Sequence, residues 1–383
     1  MKNICIGIFF LCCMTSFCQK TDTLTFFSPA FQEVRNVYIQ TPNSLKYASD
    51  SVRFPVIYVL DGQHEWFVNP VTNTVNYLQY THEVPQALLV IIPHENRRSE
   101  AAFKELDQNL ALHDFITKDL EQQIKNYNIG DHRMIIGHSF TASFALYSFL
   151  KEPDFYDAVI ANTPLHGLEE LVIALKNTSP ALRNHIAISI GGPENGKDLY
   201  HRKRYDELKS KYPDLFDEII TFEADHATHN AVPIVSNPYI LNKIYSNYKT
   251  RYDRIAEVDQ NYQLKKSPES PESIVQDIKT LSKIDEDFIA PDIAALNGIA
   301  SRFLNSDFEE HATRVYNLGL EYYPKFWGFH ISLYQIEKEK SISSAKNHLL
   351  LAEKYLDQLD IGLNEYDEVK KFILSEKERH VWQ

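Results

Sequence analysis

The sequence predicts an α/β protein: a mostly parallel central sheet covered by helices, followed by a small all-α region. Three observations carry that reading. Apolar strand-like runs alternate with longer helix-like stretches from Val34 to about Tyr248. A polar, proline-punctuated break, KKSPESPES at 265–273, ends the alternation. Beyond it helical periodicity takes over, and strand, helix, strand in alternation is the pattern of a parallel sheet covered on both faces.

In chain order, the first element is MKNICIGIFFLCCMTSFC, with Lys2 near its start and an apolar run from Ile4 to Met14. That is the layout of a secretory signal, and the run is short for a membrane span. Cleavage after Cys18 places Ser16 and Cys18 where small residues are wanted. Lipid attachment at Cys18 is the rival expectation, which the bulky Phe17 disfavours. All four cysteines (Cys5, Cys12, Cys13 and Cys18) lie in this segment. A mature chain without it has no thiol for a disulfide or a thiolate metal site. The expected location is secreted or periplasmic.

The strands follow. VYIQ ending at Gln40, PVIYVL (55–60), ALLVII (87–92), RMIIG (133–137), DAVIAN (157–162), HIAISI (185–190) and EIITFE (218–223) form the series. Continuous apolar runs such as VIYVL suit strands buried on both faces. Between them Leu112, Phe115, Ile116, Leu120 and Ile124 recur at three- and four-residue spacing, which predicts a helix with one apolar face. The expected organisation is a signal at 1–18, a catalytic domain at 19–250, a linker at 251–275 and a helical domain at 276–383. Within the last, Ala312, Tyr316, Gly319 and Pro324 fall at tetratricopeptide positions, preceded by Leu296, Ile299, Ala300 and Phe303. A weaker copy uses Phe329, Ile336, Ala345, Leu349 and Ala352, so the helical domain reads as tetratricopeptide-like. A plain antiparallel helical bundle is the simpler alternative. This region is the expected site of any protein contact or self-association.

The 383 residues leave room for a full enzyme domain with a smaller companion. The formal net charge of −13 argues against nucleic acid, whose phosphates need a basic footprint.

Chemistry centres on RMIIGHSFTASFALYSFL, 133–150. Gly137-His138-Ser139-Phe140-Thr141 is nearly the G-x-S-x-G of a nucleophile elbow, with threonine at the second glycine. A serine at a strand-to-helix turn projects from the sheet edge, and the next amide, Phe140 N–H, points at a developing oxyanion. Ser139 is therefore the candidate nucleophile. Its base should come from TFEADHATHNAVP (221–233), which offers His229 and His226. The orienting acid should come from SIGGPENGKD (189–198), where Glu194 is preferred and Asp198 stands behind it. VLDGQHEWF (59–67) supplies the second oxyanion donor, the Gln63 amide.

VIYVLDGQHEWF, GHSFTASFALYSFLKEPDFYDAVIANTP and HNAVP, in that order, resemble the bacterial putative-esterase family of α/β-hydrolases, which includes enterochelin-esterase-like and esterase-D-like enzymes. The resemblance runs from about Thr25 to Tyr248 and extends to members with a tetratricopeptide-like C-terminal extension. It implies an α/β-hydrolase fold, Ser139 as nucleophile, His229 as base, Glu194 as acid, and the Gln63 and Phe140 amides as the oxyanion hole. Two departures stand out: Thr141 in place of glycine, and TPLHGLEE where many members place tryptophans. Arg97, Arg98 and His138 are candidate substrate contacts.

The resulting expectation is a serine esterase working through an acyl-enzyme on a small-molecule ester, such as a siderophore or acylated carbohydrate, without metal or organic cofactor. An acyltransferase using the same residues and a non-catalytic binding protein on a hydrolase scaffold are the alternatives.

Overall fold

The computed structural model describes residues 21–284, 287–359 and 363–380. The expected signal segment and all four cysteines lie outside the described residues.

Eight strands make one sheet: β1 Thr21–Ser28, β2 Glu33–Gln40, β3 Phe54–Val59, β4 Leu88–Ile91, β5 Ile129–His138, β6 Ala158–Asn162, β7 Ile186–Ile190 and β8 Ile220–Glu223. Their order is β1-β2-β4-β3-β5-β6-β7-β8. β1 pairs antiparallel with β2, and β2 antiparallel with β4; every other neighbour is parallel. This is an α/β-hydrolase-like sheet. β1 is the strand that the sequence series leaves out. Its residues alternate between exposed and half-buried, so TDTLTFFS lacks the continuous apolar run that marks the central strands.

The central strands are apolar throughout because each feeds two cores. Val56 and Tyr58 of β3 face one core, while Ile57 and Val59 face the other. The first core is covered by the predicted helical segment at 111–127, which buries Leu112, Phe115, Ile116, Leu120 and Ile124. The helix Phe140–Lys151, which follows β5 directly, buries Phe144, Ala145 and Phe149 in the same core. On the opposite face lie the helices Glu65–Tyr80 and Val232–Ile244, contributing Val71, Val75, Ile240 and Leu241.

From Pro271 onwards the regular elements among the described residues are helices, apart from a two-residue pairing of Lys283–Ile284 with Asp287–Phe288. Ser270 caps the helix Pro271–Leu281 by accepting from Ser273 N–H at 3.2 Å. The helices Ile293–Asn305, Glu309–Tyr322, Trp327–Glu337 and Ile342–Gln358 then pack around Phe303, Phe329 and Leu349. Ala312 and Ala345 are both fully buried in that core. The stretch at 251–275, expected as a linker, is packed rather than free: Tyr252 and Ala256 are buried in the helical core.

That core also takes in Tyr47, Val52 and Phe54 from the sheet-bearing part of the chain. Phe326 meets Tyr47 edge-on at 5.1 Å between ring centroids, and Ser49 N–H donates to Tyr322 O at 2.8 Å. A chain ending at Thr250 would bare all three apolar side chains, each worth about 1.5–3 kcal/mol when buried. Such a truncated protein is expected to melt below the full chain and to bind a hydrophobic dye. A melting temperature equal to that of the full chain would show that the helical region lends no stability.

Candidate active site

The site begins with a turn that the backbone adopts at a cost. Ser139, between β5 and the helix Phe140–Lys151, holds φ 57° and ψ −114°. For a residue with a side chain that conformation costs about 1–3 kcal/mol and persists only where the surroundings enforce it. Strand and helix pass so closely that a Cβ on Gly137 would stand 2.3 Å from Thr141 O. Only glycine fits there. Thr141, by contrast, is accommodated and used. Its hydroxyl accepts from His138 N–H at 3.1 Å and donates to Asp61 Oδ2 at 2.6 Å, with His138 O at 3.0 Å as the alternative acceptor.

Asp61 ends the β3 loop and is fully buried. Arg97 grips it with Nε at 2.5 Å from Oδ1 and Nη2 at 2.9 Å from Oδ2, and the same Nη2 donates to His138 O at 2.7 Å. Burial pushes the Asp61 carboxyl up, but the Arg97 and Thr141 hydrogen bonds outweigh it and hold the group below its ordinary value. Arg97 was expected at the substrate; the structure spends its guanidinium on the elbow instead. His138 is likewise corrected. Its ring is buried, its Nε2 lies 3.1 Å from His229 O, and it packs against the His229 ring at 4.6 Å. Burial and then the neighbouring His229 lower its pKa to about 4, so it is a neutral spacer. Arg98 is exposed on the rim of the cleft beside Ser139.

The candidate acid is a third correction. Glu194 projects into solvent and its side chain bonds to nothing among the described residues. Asp198, four residues on, is buried, and its Oδ1 lies 2.9 Å from His229 Nδ1. The chain bulges through Gly196 at φ 82° and returns, with Asp198 N–H on Gly192 O at 3.1 Å and Gly191 N–H on Asp198 Oδ2 at 3.1 Å. The later carboxylate is thus the one under the strand end. Burial pushes Asp198 up, but its hydrogen bonds to His201 and His229 bring it to about 2. His201, which the sequence reading did not single out, places Nδ1 2.9 Å from the same Oδ1. His226 is exposed and contributes its carbonyl to Lys197 at 3.1 Å. Of the two candidate bases, His229 is the one that meets Asp198.

Ser139 Oγ makes no hydrogen bond among the described residues, and neither the Gln63 nor the Phe140 amide has a partner there. The Gln63 side chain is occupied, accepting from His94 N–H at 2.9 Å. A cleft of about 710 Å³ opens on Ser139 and is lined by Phe140, Leu165, His166, Tyr200 and His201 among others. Leu165 and His166 belong to the TPLHGLEE segment, and the His166 ring stacks on Phe140 at 4.8 Å.

Thr141→Val leaves Asp61 short of a donor and His138 N–H unpaired, which should cost about 1–3 kcal/mol. Thermal melts against wild type measure it, and an unchanged melting temperature would refute the role of the hydroxyl. Glu100 holds His94 and Arg35, at 2.9 and 3.0 Å, and supports the loop carrying Arg97. Burial raises its pKa, but the His94 and Arg35 bonds lower it to about 2 from an ordinary 4.5. A depressed carboxylate stabilises the fold above its unfolded value and loses that contribution as pH falls towards the folded one. The fall in melting temperature between pH 4.5 and 2 should therefore be shallower in Glu100→Gln than in wild type.

Residues 28–197 match the family model described as "Putative esterase". No curated protein matches this sequence. Among solved structures, an IroE-like serine hydrolase from Shewanella oneidensis is 17% identical with a TM-score of 0.57, covering 78% of this chain and 98% of that one. An uncharacterised protein from Capnocytophaga ochracea is 16% identical with a TM-score of 0.54, covering 93% and 99%. At these identities the likeness speaks for the fold alone.

Proposed function

We propose that this chain, an esterase whose residues 28–197 match the putative-esterase family model, cleaves carboxylic esters through an acyl-enzyme on Ser139. The observation that carries the reading is the His229–Asp198 pair, at 2.9 Å, together with its link to the strained elbow: His229 O lies 3.1 Å from Nε2 of His138, the residue that precedes Ser139. Asp198 accepts from His229 Nδ1–H, which leaves the Nε2 lone pair free to act as base. With no hydrogen bond to hold it, the Ser139 side chain turns to His229 when substrate enters, since catalytic contacts often tighten only then.

Ser139 Oγ attacks the ester carbonyl carbon while His229 Nε2 takes its proton. The oxyanion accepts from Gln63 N–H and Phe140 N–H, two donors for which no group among the described residues competes. As the tetrahedral centre collapses, His229 returns the proton to the departing alkoxide, and the alcohol leaves. Water then repeats the sequence on the acyl-serine, His229 taking its proton, and the carboxylic acid and free serine result. The favoured substrate is a polar ester, a siderophore or acylated carbohydrate in class, because Arg98, His166, Tyr200 and His201 surround the cleft. On the strength of residues 1–18 the site of action is placed outside the cytoplasm. The paired helices beyond Pro271 are read as a tetratricopeptide-like extension, on the 33-residue spacing of two fully buried alanines, Ala312 and Ala345.

The test is turnover of p-nitrophenyl acetate and butyrate by purified variants. Ser139→Ala should lower kcat/KM by about 10⁴-fold or more, and Asp198→Asn by about 10⁴-fold. Glu194→Gln should stay within about twofold, as surface changes do. Equal turnover by wild type and Ser139→Ala would end the proposal. A large loss in Glu194→Gln with none in Asp198→Asn would reverse the assignment of the acid.

A further inference from the structure

Asp198 serves two imidazoles at once. His201 and His229 each place Nδ1 2.9 Å from Asp198 Oδ1. Their rings stack at 4.3 Å between centroids with 29° between planes. The other carboxylate oxygen is turned away and held by Gly191 N–H at 3.1 Å. One ligand atom from each of the three residues therefore lies within 4.8 Å of the other two, with both Nδ1 atoms gathered on Oδ1.

A tetrahedral zinc ion with bonds of about 2.0–2.1 Å needs its ligand atoms about 3.3 Å apart. The two N–O distances must open by about 0.4 Å to admit it, within the freedom of half-exposed imidazoles. Asp198 is fixed by burial, and the other two ligands come from separate elements. His201 lies in the first turn of the helix Leu199–Lys211, and His229 in the loop after β8. His201 also lines the cleft, which gives an ion an entry path and a fourth position for water. Two nitrogens and one oxygen suit zinc, whereas magnesium and calcium prefer oxygen alone.

We propose that Asp198, His201 and His229 form a zinc site and that zinc filling it switches the esterase off. The second half rests on the reading of His229 as general base; the first does not. Without metal, Asp198 holds the His229 proton on Nδ1 and leaves Nε2 able to take the proton of Ser139. Zinc on Nδ1 needs that lone pair, so the ring proton must sit on Nε2 instead. The imidazole then presents an N–H to the serine and can accept nothing. His201 has no part in proton transfer; it supplies the third ligand that makes a chelate of the His229–Asp198 pair.

The experiment has two arms on the untagged chain from Gln19, which the proposed cleavage after Cys18 leaves without cysteines. Zinc binding is measured by competition with a chromogenic zinc indicator in Ser139→Ala and in Ser139→Ala/His201→Ala. Hydrolysis of p-nitrophenyl acetate is titrated with zinc in wild type and in His201→Ala, each relative to its own metal-free rate, followed by EDTA. Expected are tight binding that weakens at least tenfold without His201, inhibition of wild type that EDTA reverses, and at least a tenfold shift of that inhibition in His201→Ala. His201→Asn, which keeps a polar side chain in the helix, guards against a folding defect. Zinc affinity unchanged by either substitution overturns the site. Binding that depends on His201 but leaves turnover untouched overturns the switch. Absence of Ser139-dependent turnover overturns the esterase mechanism instead, and the indicator arm still decides the site.

Discussion

The buried carboxylate of Asp61 is the constraint on which the site is built. A fully buried anion is tolerated only when its hydrogen-bonding capacity is filled. Arg97 and Thr141 fill it, and both do so while touching the elbow: Arg97 also holds His138 O, and the Thr141 hydroxyl also receives His138 N–H. The peptide groups immediately before Ser139 are thus fixed by the same ions that fix the β3 loop. The Gln63 amide lies two residues beyond Asp61 and the Phe140 amide one beyond Ser139. Their relative position is set by this one cluster, and the strained φ/ψ of Ser139 has something to be strained against.

A second polar cluster performs the corresponding task for the neighbouring strands. Ser139 N–H donates to Asn162 O at 2.7 Å, and Asn162 Nδ2 donates to Gly137 O at 3.1 Å. Asn162 Oδ1 accepts from Ser189 and Ser236, at 2.8 and 2.9 Å. The ends of β5, β6 and β7 and the helix after His229 are therefore locked to each other by fully buried side chains. Satisfied networks of this kind rigidify what they connect. Ser139 and the loop bearing His229 are referenced to one frame, and His138 adds a direct strut between them through His229 O.

Much of this was legible in the sequence. The buried strands announced themselves as apolar runs, the elbow as a strand-serine-helix pattern, and His229 as a histidine after the last strand. The failures share a cause: they depend on which polar group turns inward, and periodicity carries no such information. Glu194 and Asp198 are equivalent as letters in a polar turn, and only the bulge at Gly196 decides between them. Arg97 and Arg98 are adjacent, yet one is consumed by Asp61 and the other faces the cleft. Thr141 looked like a defect in a glycine position because the partner that gives its hydroxyl a purpose lies eighty residues earlier, at Asp61. β1 was missed because an edge strand buries too little to need an apolar run.

The helical region and Ser139 sit at opposite ends of β5, and this limits what the former can do. Ser139 follows the carboxyl end of the strand. Near its amino end, His132 Nδ1 lies 3.2 Å from Asp287 and Nε2 3.0 Å from Tyr245 OH. Phe54, which opens the adjacent β3, is buried in the helical core, and its N–H donates to Asn128 O just before β5. From His132 to Ser139 a strand rising about 3.3 Å per residue covers about 20 Å. Ligands of open α/β sheets bind beyond the carboxyl ends of the strands, so the helices buttress the far edge of the sheet and take no part in lining the cleft. Whatever selects the ester must come from the loops around Ser139, in particular TPLHGLEE and the first turns of Leu199–Lys211, where this chain places His166, Tyr200 and His201.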